Sequence, residues 1–146
     1  MKVAETIEFM RTAILVGRQA LPHCLPNPPV GCVIVQNGSI VSKGYTNPPG
    51  QWHAEAMALS EITGDLQNTT LFVTLEPCSF YGRTPSCAKE IVSRGISSVY
   101  VGTIDPHPGN QGKGVRILED AGIRVEVGLL EQEVLPDLTP YLHSQI

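Results

Sequence analysis

The sequence contains little charge, and its few basic residues are scattered along the chain. Charged residues make up 16% of the 146 positions, and the formal net charge is −4. Nucleic-acid-binding domains usually present a basic face, and no run of Lys or Arg is present here to form one. This pattern weighs against a nucleic-acid partner and favours a small-molecule substrate.

Long apolar runs are also missing. No run approaches the length of a membrane-spanning helix, so no membrane partner is expected. The segment 1–20 is interrupted by charged residues such as Lys2, Glu5 and Arg11, unlike a signal peptide. We therefore expect a cytoplasmic protein. Its four cysteines are then expected to be metal ligands or core residues rather than disulfide partners.

Hydrophobic patterns predict alternating helices and strands in one domain, residues 1–146. Asn37-Gly38 predicts a tight hairpin turn between the first two strands. A predicted helix separates strands four and five, so these two strands should be parallel. The expected fold class is an α/β three-layer α/β/α sandwich on a five-stranded mixed sheet. The predicted strands are 30–35, 40–45, 70–75, 98–103 and 123–127, and the predicted helices are 1–20, 53–61, 87–94, 115–121 and 131–142.

A small set of residues carries the chemistry: His53-Ala54-Glu55, Pro77-Cys78 and Cys87. One imidazole and two thiolates are the donor set of a catalytic zinc site, in which three protein ligands leave a fourth position for water. Zinc lowers the pKa of that water, which can then attack an amidine-like ring carbon. We therefore predict Zn²⁺ on His53, Cys78 and Cys87.

The positions of these residues suggest how the site would work. In this interpretation His53 and Cys78 each sit at a helix start that follows a loop, so their side chains can point toward a common centre. The exposed N–H groups of a first helical turn would also favour thiolate over thiol. Glu55 lies two residues beyond His53, so it cannot ligate the metal from the same helical face. It can instead move protons from the water to the ring nitrogen and the departing amine.

Two alternatives to a catalytic zinc site remain. A structural zinc site would require a fourth protein ligand, and the spare candidates are His23, Cys24 and Cys32. Without any metal, His53 would be a surface histidine and the two cysteines core residues. The sequence assigns no role to His23, Cys24 or Trp52.

The motif H-x-E followed by P-C resembles the zinc-dependent cytidine/deoxycytidylate deaminase superfamily. Eight residues separate Cys78 from Cys87, and they include Gly82-Arg83-Thr84-Pro85. This spacing, together with the stretches 27–35 and 76–87, most resembles the deaminase domain of the bifunctional riboflavin-biosynthesis deaminase/reductase. The resemblance implies hydrolytic deamination of an aminopyrimidine, foremost the diaminohydroxyphosphoribosylaminopyrimidine step, in a homodimer or larger homo-oligomer.

The resemblance also implies substrate contacts. Asn27, the Ala54 backbone and Asp105 would hold the substrate, and Arg83 would meet its ribosyl phosphate, which a guanidinium fork matches. The alternative for Arg83 is a solvated loop position, and for Asp105 a turn cap.

Three positions depart from the family pattern. Thr46 and Phe80 stand where the family usually has histidine, and His107 stands where it usually has asparagine. These positions face the substrate in the family, so we expect a changed recognition surface in which Phe80 can stack on a ring.

These departures leave other functions open. The same chemistry could act on a free base, a nucleoside or a secondary-metabolite heterocycle. A non-catalytic, zinc-stabilised binding protein is a further alternative, which the intact Glu55 disfavours. No reductase domain is expected within residues 1–146, so a separate reductase would complete the riboflavin pathway.

Overall fold

The computed structural model describes residues 1–80 and 85–142. Within these ranges the helices are α1 Val3–Arg18, α2 Ala54–Ser60, α3 Cys87–Ser93, α4 Lys113–Asp120 and α5 Glu131–Leu142. The strands are β1 Gly31–Gln36, β2 Ser39–Tyr45, β3 Thr69–Leu75, β4 Ser98–Thr103 and β5 Arg124–Val127. The described helices include none that is long and apolar enough to cross a bilayer.

The strands form a five-stranded sheet in the order β2-β1-β3-β4-β5. Strand β1 pairs antiparallel with β2 and β3, whereas β3 with β4 and β4 with β5 are parallel. Asn37 and Gly38 connect β1 to β2 with φ values of 52° and 77°, as a two-residue hairpin turn of type I′ requires. The predicted five-stranded mixed sheet with parallel strands four and five is confirmed.

Helices cover both faces of this sheet. Met10 and Val16 of α1 pack against Val33 and Phe72 on one face. Helix α5 covers the same face and is joined to α1 by two ion pairs, Arg11–Glu133 and Arg18–Asp137. The opposite face carries α2, α3 and α4, which pack through Ala58, Leu59, Ile91 and Leu118 against Cys32, Ile34, Leu71, Val73 and Val99. The predicted three-layer sandwich is thereby confirmed.

Val3, in the first turn of α1, is 74% exposed. Helix and sheet approach most closely in the second half of α1, where a Cβ on Gly31 would lie 1.8 Å from the Ala13 carbonyl oxygen. The buried stripe therefore begins at Thr6 and Met10, and the first turn remains in solvent.

Candidate metal centre and substrate cavity

His53, Cys78 and Cys87 meet where two helices begin beside the end of β3. His53 is the N-cap of α2, and Cys87 is the first residue of α3. The predicted position of Cys78 at a helix start is wrong, because Cys78 lies in an irregular segment three residues after β3 ends at Leu75. The next described helix, α3, begins at Cys87, where the helix 87–94 was predicted.

The separations between the donor atoms fit a zinc ion. His53 Nδ1 lies 3.7 Å from Cys78 Sγ and 3.4 Å from Cys87 Sγ. Bonds of about 2.3 Å to sulfur and about 2.1 Å to nitrogen at tetrahedral angles place the two ligand atoms roughly 3.6 Å apart. These two separations therefore need little change for the side chains to hold zinc, and all three candidate ligand atoms lie within 4.8 Å of one another.

Across residues 1–80 and 85–142, this is the one group of three or more His, Cys, Asp or Glu side chains whose ligand atoms lie close enough for a shared metal. Cys24 and Cys32 are fully buried and do not join the group, and neither does His23. A structural site with four protein ligands gains no support from the described residues. The donor set is that of an open, three-ligand site.

Hydrogen bonds prepare Cys78 as a thiolate. The Cys87 backbone N–H donates to Cys78 Sγ at 3.2 Å. A hydrogen bond from the Cys87 thiol and another from His53 lower the pKa of Cys78 to about 5, against the opposing effect of burial. The pKa of Cys87 is raised well above its ordinary value. The hydrogen bond with Cys78 is the largest cause, and burial is the next. The pKa of His53 is raised by its hydrogen bond to Cys78.

Ser86 joins the Cys78 segment to α3. Its Oγ donates to the Cys78 carbonyl at 2.9 Å and accepts from the Lys89 N–H at 3.3 Å, as an N-cap does. The Ala88 N–H also donates to the Cys78 carbonyl, at 3.0 Å. Two ligand-bearing segments that are separate in sequence are thereby fixed relative to each other. The sequence analysis did not identify Ser86.

Glu55 lies in the first turn of α2 and is 4% exposed. Burial raises the pKa of its carboxyl group to about 7, although His53 acts in the opposite direction. Glu55 lines the same cavity as His53 and Cys78. A carboxyl group in this position can accept and return a proton near neutral pH.

The cavity next to these residues has a volume of about 400 Å³. Of the residues predicted to contact substrate, Asn27, Thr46, Ala54, Phe80 and Asp105 line it. Arg83 lies outside the described residues. Trp52 is 52% exposed and is not part of the cavity wall.

Thr46 uses its hydroxyl within the protein. The Oγ1 atom accepts from the Val30 N–H at 3.0 Å and donates to the Pro28 carbonyl at 2.9 Å. Both bonds are buried and hold the segment that carries Asn27. Thr46 therefore shapes the wall through this segment rather than by offering its own hydroxyl to the cavity.

Asp105 and Phe80 line another part of the cavity, and both lie close to His107. Asp105 Oδ1 accepts from the His107 N–H at 3.0 Å, so the side chain caps a turn as well as lining the cavity. The His107 ring accepts at Nδ1 from the Gly109 N–H at 2.9 Å. His107 was predicted to contact substrate, but it does not line the cavity and instead lies beside Phe80, with ring centroids 6.0 Å apart.

Glu76 is a buried carboxylate that the sequence analysis missed. Its Oε1 accepts from the N–H groups of Asp105 and Gly112 at 3.1 and 3.0 Å, and its Oε2 accepts from Val115 at 3.0 Å. Fully buried Asn110 adds a bond to the Pro77 carbonyl at 3.2 Å. The loop that carries Asp105 is thereby fastened to the segment that carries Cys78. The sequence contained one signal for Glu76: it is an acidic residue that directly follows an apolar predicted strand.

Comparison with known proteins identifies the family. Residues 4–103 match the model of the cytidine and deoxycytidylate deaminase zinc-binding region. The chain belongs to this family. Its resemblance to riboflavin-biosynthesis proteins is also confirmed: it is 46% identical over 132 residues to riboflavin biosynthesis protein RibD of Actinobacillus pleuropneumoniae, a match covering 90% of this chain and 35% of that protein.

Two solved structures extend the similarity to the fold. Acinetobacter baumannii RibD, form 1, matches with a TM-score of 0.92 at 39% identity, over 99% of this chain and 40% of that one. The diaminohydroxyphosphoribosylaminopyrimidine deaminase/5-amino-6-(5-phosphoribosylamino)uracil reductase of Thermotoga maritima matches with a TM-score of 0.91 at 39% identity, over 97% of this chain and 41% of that one. The chain spans about a third of the length of the curated relatives it matches.

Proposed function

We propose that this chain is a zinc-dependent hydrolytic deaminase of an aminopyrimidine-like small molecule. The observation that carries the proposal is the meeting of His53, Cys78 and Cys87 at a cavity whose wall includes buried Glu55. Zinc held by these three ligands would act as a Lewis acid that lowers the pKa of water toward neutrality.

Glu55 is assigned the proton transfers of the reaction. Water adds to the ring carbon that bears the amino group, and Glu55 takes the proton that the water loses. Glu55 passes this proton to the ring nitrogen, and then transfers the remaining proton of the added hydroxyl to the leaving amino group. The C–N bond then breaks, ammonia leaves, and a carbonyl remains on the ring. A carboxyl pKa of about 7 suits a group that must both accept and return a proton.

The leading substrate is the diaminohydroxyphosphoribosylaminopyrimidine of riboflavin biosynthesis. The similarity to RibD proteins supports this choice, as does the presence of Asn27 and Asp105 at the cavity wall. The described cavity wall contributes carboxylates and carboxamides but no Lys or Arg side chain. We therefore assign the phosphate contact to Arg83, whose guanidinium suits phosphate oxygens.

The first test of this proposal is metal-dependent ammonia release. The metal-free protein should be inactive, and addition of one equivalent of zinc should restore turnover of the diaminopyrimidine ribosylamine phosphate. Cys87→Ser should bind zinc more weakly and lose activity in parallel. Full turnover by a protein shown to contain no metal would contradict the proposal.

A second candidate keeps this chemistry but takes an unphosphorylated base, nucleoside or secondary-metabolite heterocycle. The observation that favours it is Phe80, whose half-exposed ring lines the cavity and can stack on a heterocycle but cannot bind phosphate. Arg83→Ala should raise KM only for the phosphorylated substrate, with exposed Arg116→Ala as the matched control. An unchanged KM for the phosphorylated substrate would favour the second candidate.

The remaining assignments are also proposals. We propose that residues 1–146 form one deaminase domain, that a separate protein performs the following reduction, and that the chain acts in the cytoplasm as a homodimer or larger homo-oligomer. Light scattering of the zinc-loaded protein tests the oligomeric state. A monomeric mass at the concentrations used for activity assays would contradict that part of the proposal.

A further inference from the structure

The carboxamide of Asn47 is held in one orientation at the cavity wall. Its Nδ2 donates to the Tyr45 carbonyl at 2.9 Å and contacts Met57 Sδ at 3.4 Å. Both partners are acceptors, so the nitrogen of the amide, and not its oxygen, must face them. The Asn47 backbone N–H donates to the Trp52 carbonyl at 2.9 Å, which fixes the residue at its main chain as well.

The other end of this carboxamide, Asn47 Oδ1, has no hydrogen-bond partner among the described residues. Within residues 1–80 and 85–142, no group donates to Asn47 Oδ1, although the residue lines the cavity together with His53 and Glu55. An amide oxygen accepts up to two hydrogen bonds. The neighbouring Thr46 hydroxyl is occupied by Val30 and Pro28. Asn47 Oδ1 is thus a pre-oriented acceptor in this part of the wall.

We propose that Asn47 Oδ1 is a specificity contact that accepts a hydrogen bond from an N–H donor of the heterocycle other than the amino group that leaves. This inference rests on the proposed deaminase function and adds the substrate class: heterocycles with a second amino or ring N–H group. If a compound carries an oxo group where the N–H donor would be, its oxygen faces Asn47 Oδ1, and two hydrogen-bond acceptors oppose each other. The site should reject such a compound, because the repulsion adds to the lost hydrogen bond.

The test compares the zinc-loaded protein with Asn47→Ala on the diaminopyrimidine ribosylamine phosphate and a series of analogues, each with one non-reacting N–H replaced. Asn47→Ala should lower kcat/KM for the parent compound about tenfold. It should leave kcat/KM nearly unchanged for the analogue that already lacks the contacted N–H. Gln67→Ala, which removes an exposed carboxamide that does not line the cavity, should change neither value. If Asn47→Ala lowers kcat/KM by the same factor for every compound in the series, Asn47 has a merely structural role and the proposal is overturned.

A second variant, Asn47→Asp, distinguishes loss of the substrate contact from loss of the fold. Asn47→Asp keeps an acceptor oxygen but loses the amide hydrogens that bind the Tyr45 carbonyl, so its activity should fall while its discrimination among the analogues remains. If Asn47→Asp loses discrimination as completely as Asn47→Ala, the assignment of Oδ1 is wrong.

Binding measurements separate this proposal from the proposed function. If no member of the series is turned over, the deaminase assignment fails for this substrate class, and calorimetric affinities of the same compounds then decide the role of Asn47. Donor-dependent binding that Asn47→Ala abolishes would support the contact. Binding that does not depend on Asn47, or no binding at all, would overturn it.

Discussion

The backbone N–H of Cys87 donates to the Sγ of Cys78 at 3.2 Å. The first turn of α3 therefore supplies one candidate ligand and also stabilises the thiolate of the other, which lies nine residues earlier in the chain. Ser86 reinforces this arrangement by binding the Cys78 carbonyl. One helix start thus organises two of the three candidate metal ligands.

Metal uptake should release at least one proton near pH 7. Without metal, the Cys87 thiol keeps its proton because its pKa is raised well above the ordinary value, whereas the Cys78 pKa is lowered to about 5. A metal-bound cysteine must be a thiolate, so the metal-free form binds more protons and rising pH favours the loaded form. Calorimetric zinc titrations in buffers of different ionisation enthalpy measure this release. Equal apparent enthalpies in all buffers would contradict it.

Loss of the Glu76 carboxylate should strongly destabilise the protein. Glu76→Ala leaves three backbone N–H groups without their acceptor, and we expect the free energy of unfolding to fall by about 3–5 kcal/mol. Denaturant titration of the zinc-loaded protein measures the change, with exposed Glu119→Ala as the control. A loss equal to that of the control would show that these three hydrogen bonds do not stabilise the fold.

Thr46 should act through its two hydrogen bonds rather than through contact with substrate. Thr46→Val removes both bonds to the Pro28–Val30 segment, and we expect a loss of about 1–3 kcal/mol of stability. Thr46→Ser keeps the hydroxyl and should stay close to wild type in both thermal stability and KM. If Thr46→Val is as stable as wild type but has a raised KM, Thr46 instead contacts the substrate.

The clustering of His53, Cys78 and Cys87 could be predicted from the sequence because these residues lie in short motifs. Two short motifs, His53-Ala54-Glu55 and Pro77-Cys78, together with the spacing to Cys87, predicted one metal site. The structure brings the three candidate ligands together, and His53, Glu55 and Cys78 line one cavity. The hairpin at Asn37-Gly38 and the parallel strands also follow from local rules of turn and connection geometry.

The supporting interactions could not be predicted in this way, because they connect distant positions. Glu76 binds N–H groups 29, 36 and 39 residues further along the chain, and Thr46 binds groups 16 and 18 residues earlier. Hydrophobic periodicity carries no information about such pairs. The helix predicted at 87–94 was placed correctly, but Cys78 was wrongly expected at a helix start, since Pro77 and Cys78 resemble a helix start in isolation.

The most direct test of the account is ammonia release by zinc-loaded Glu55→Gln compared with wild type, with zinc content and thermal unfolding measured on the same samples. Gln is nearly isosteric with Glu but cannot accept and return a proton, so we expect turnover to fall by at least about a hundredfold with zinc still bound and the fold intact. Full turnover by Glu55→Gln on a substrate that wild type deaminates would contradict the assignment of Glu55 and the proposed mechanism.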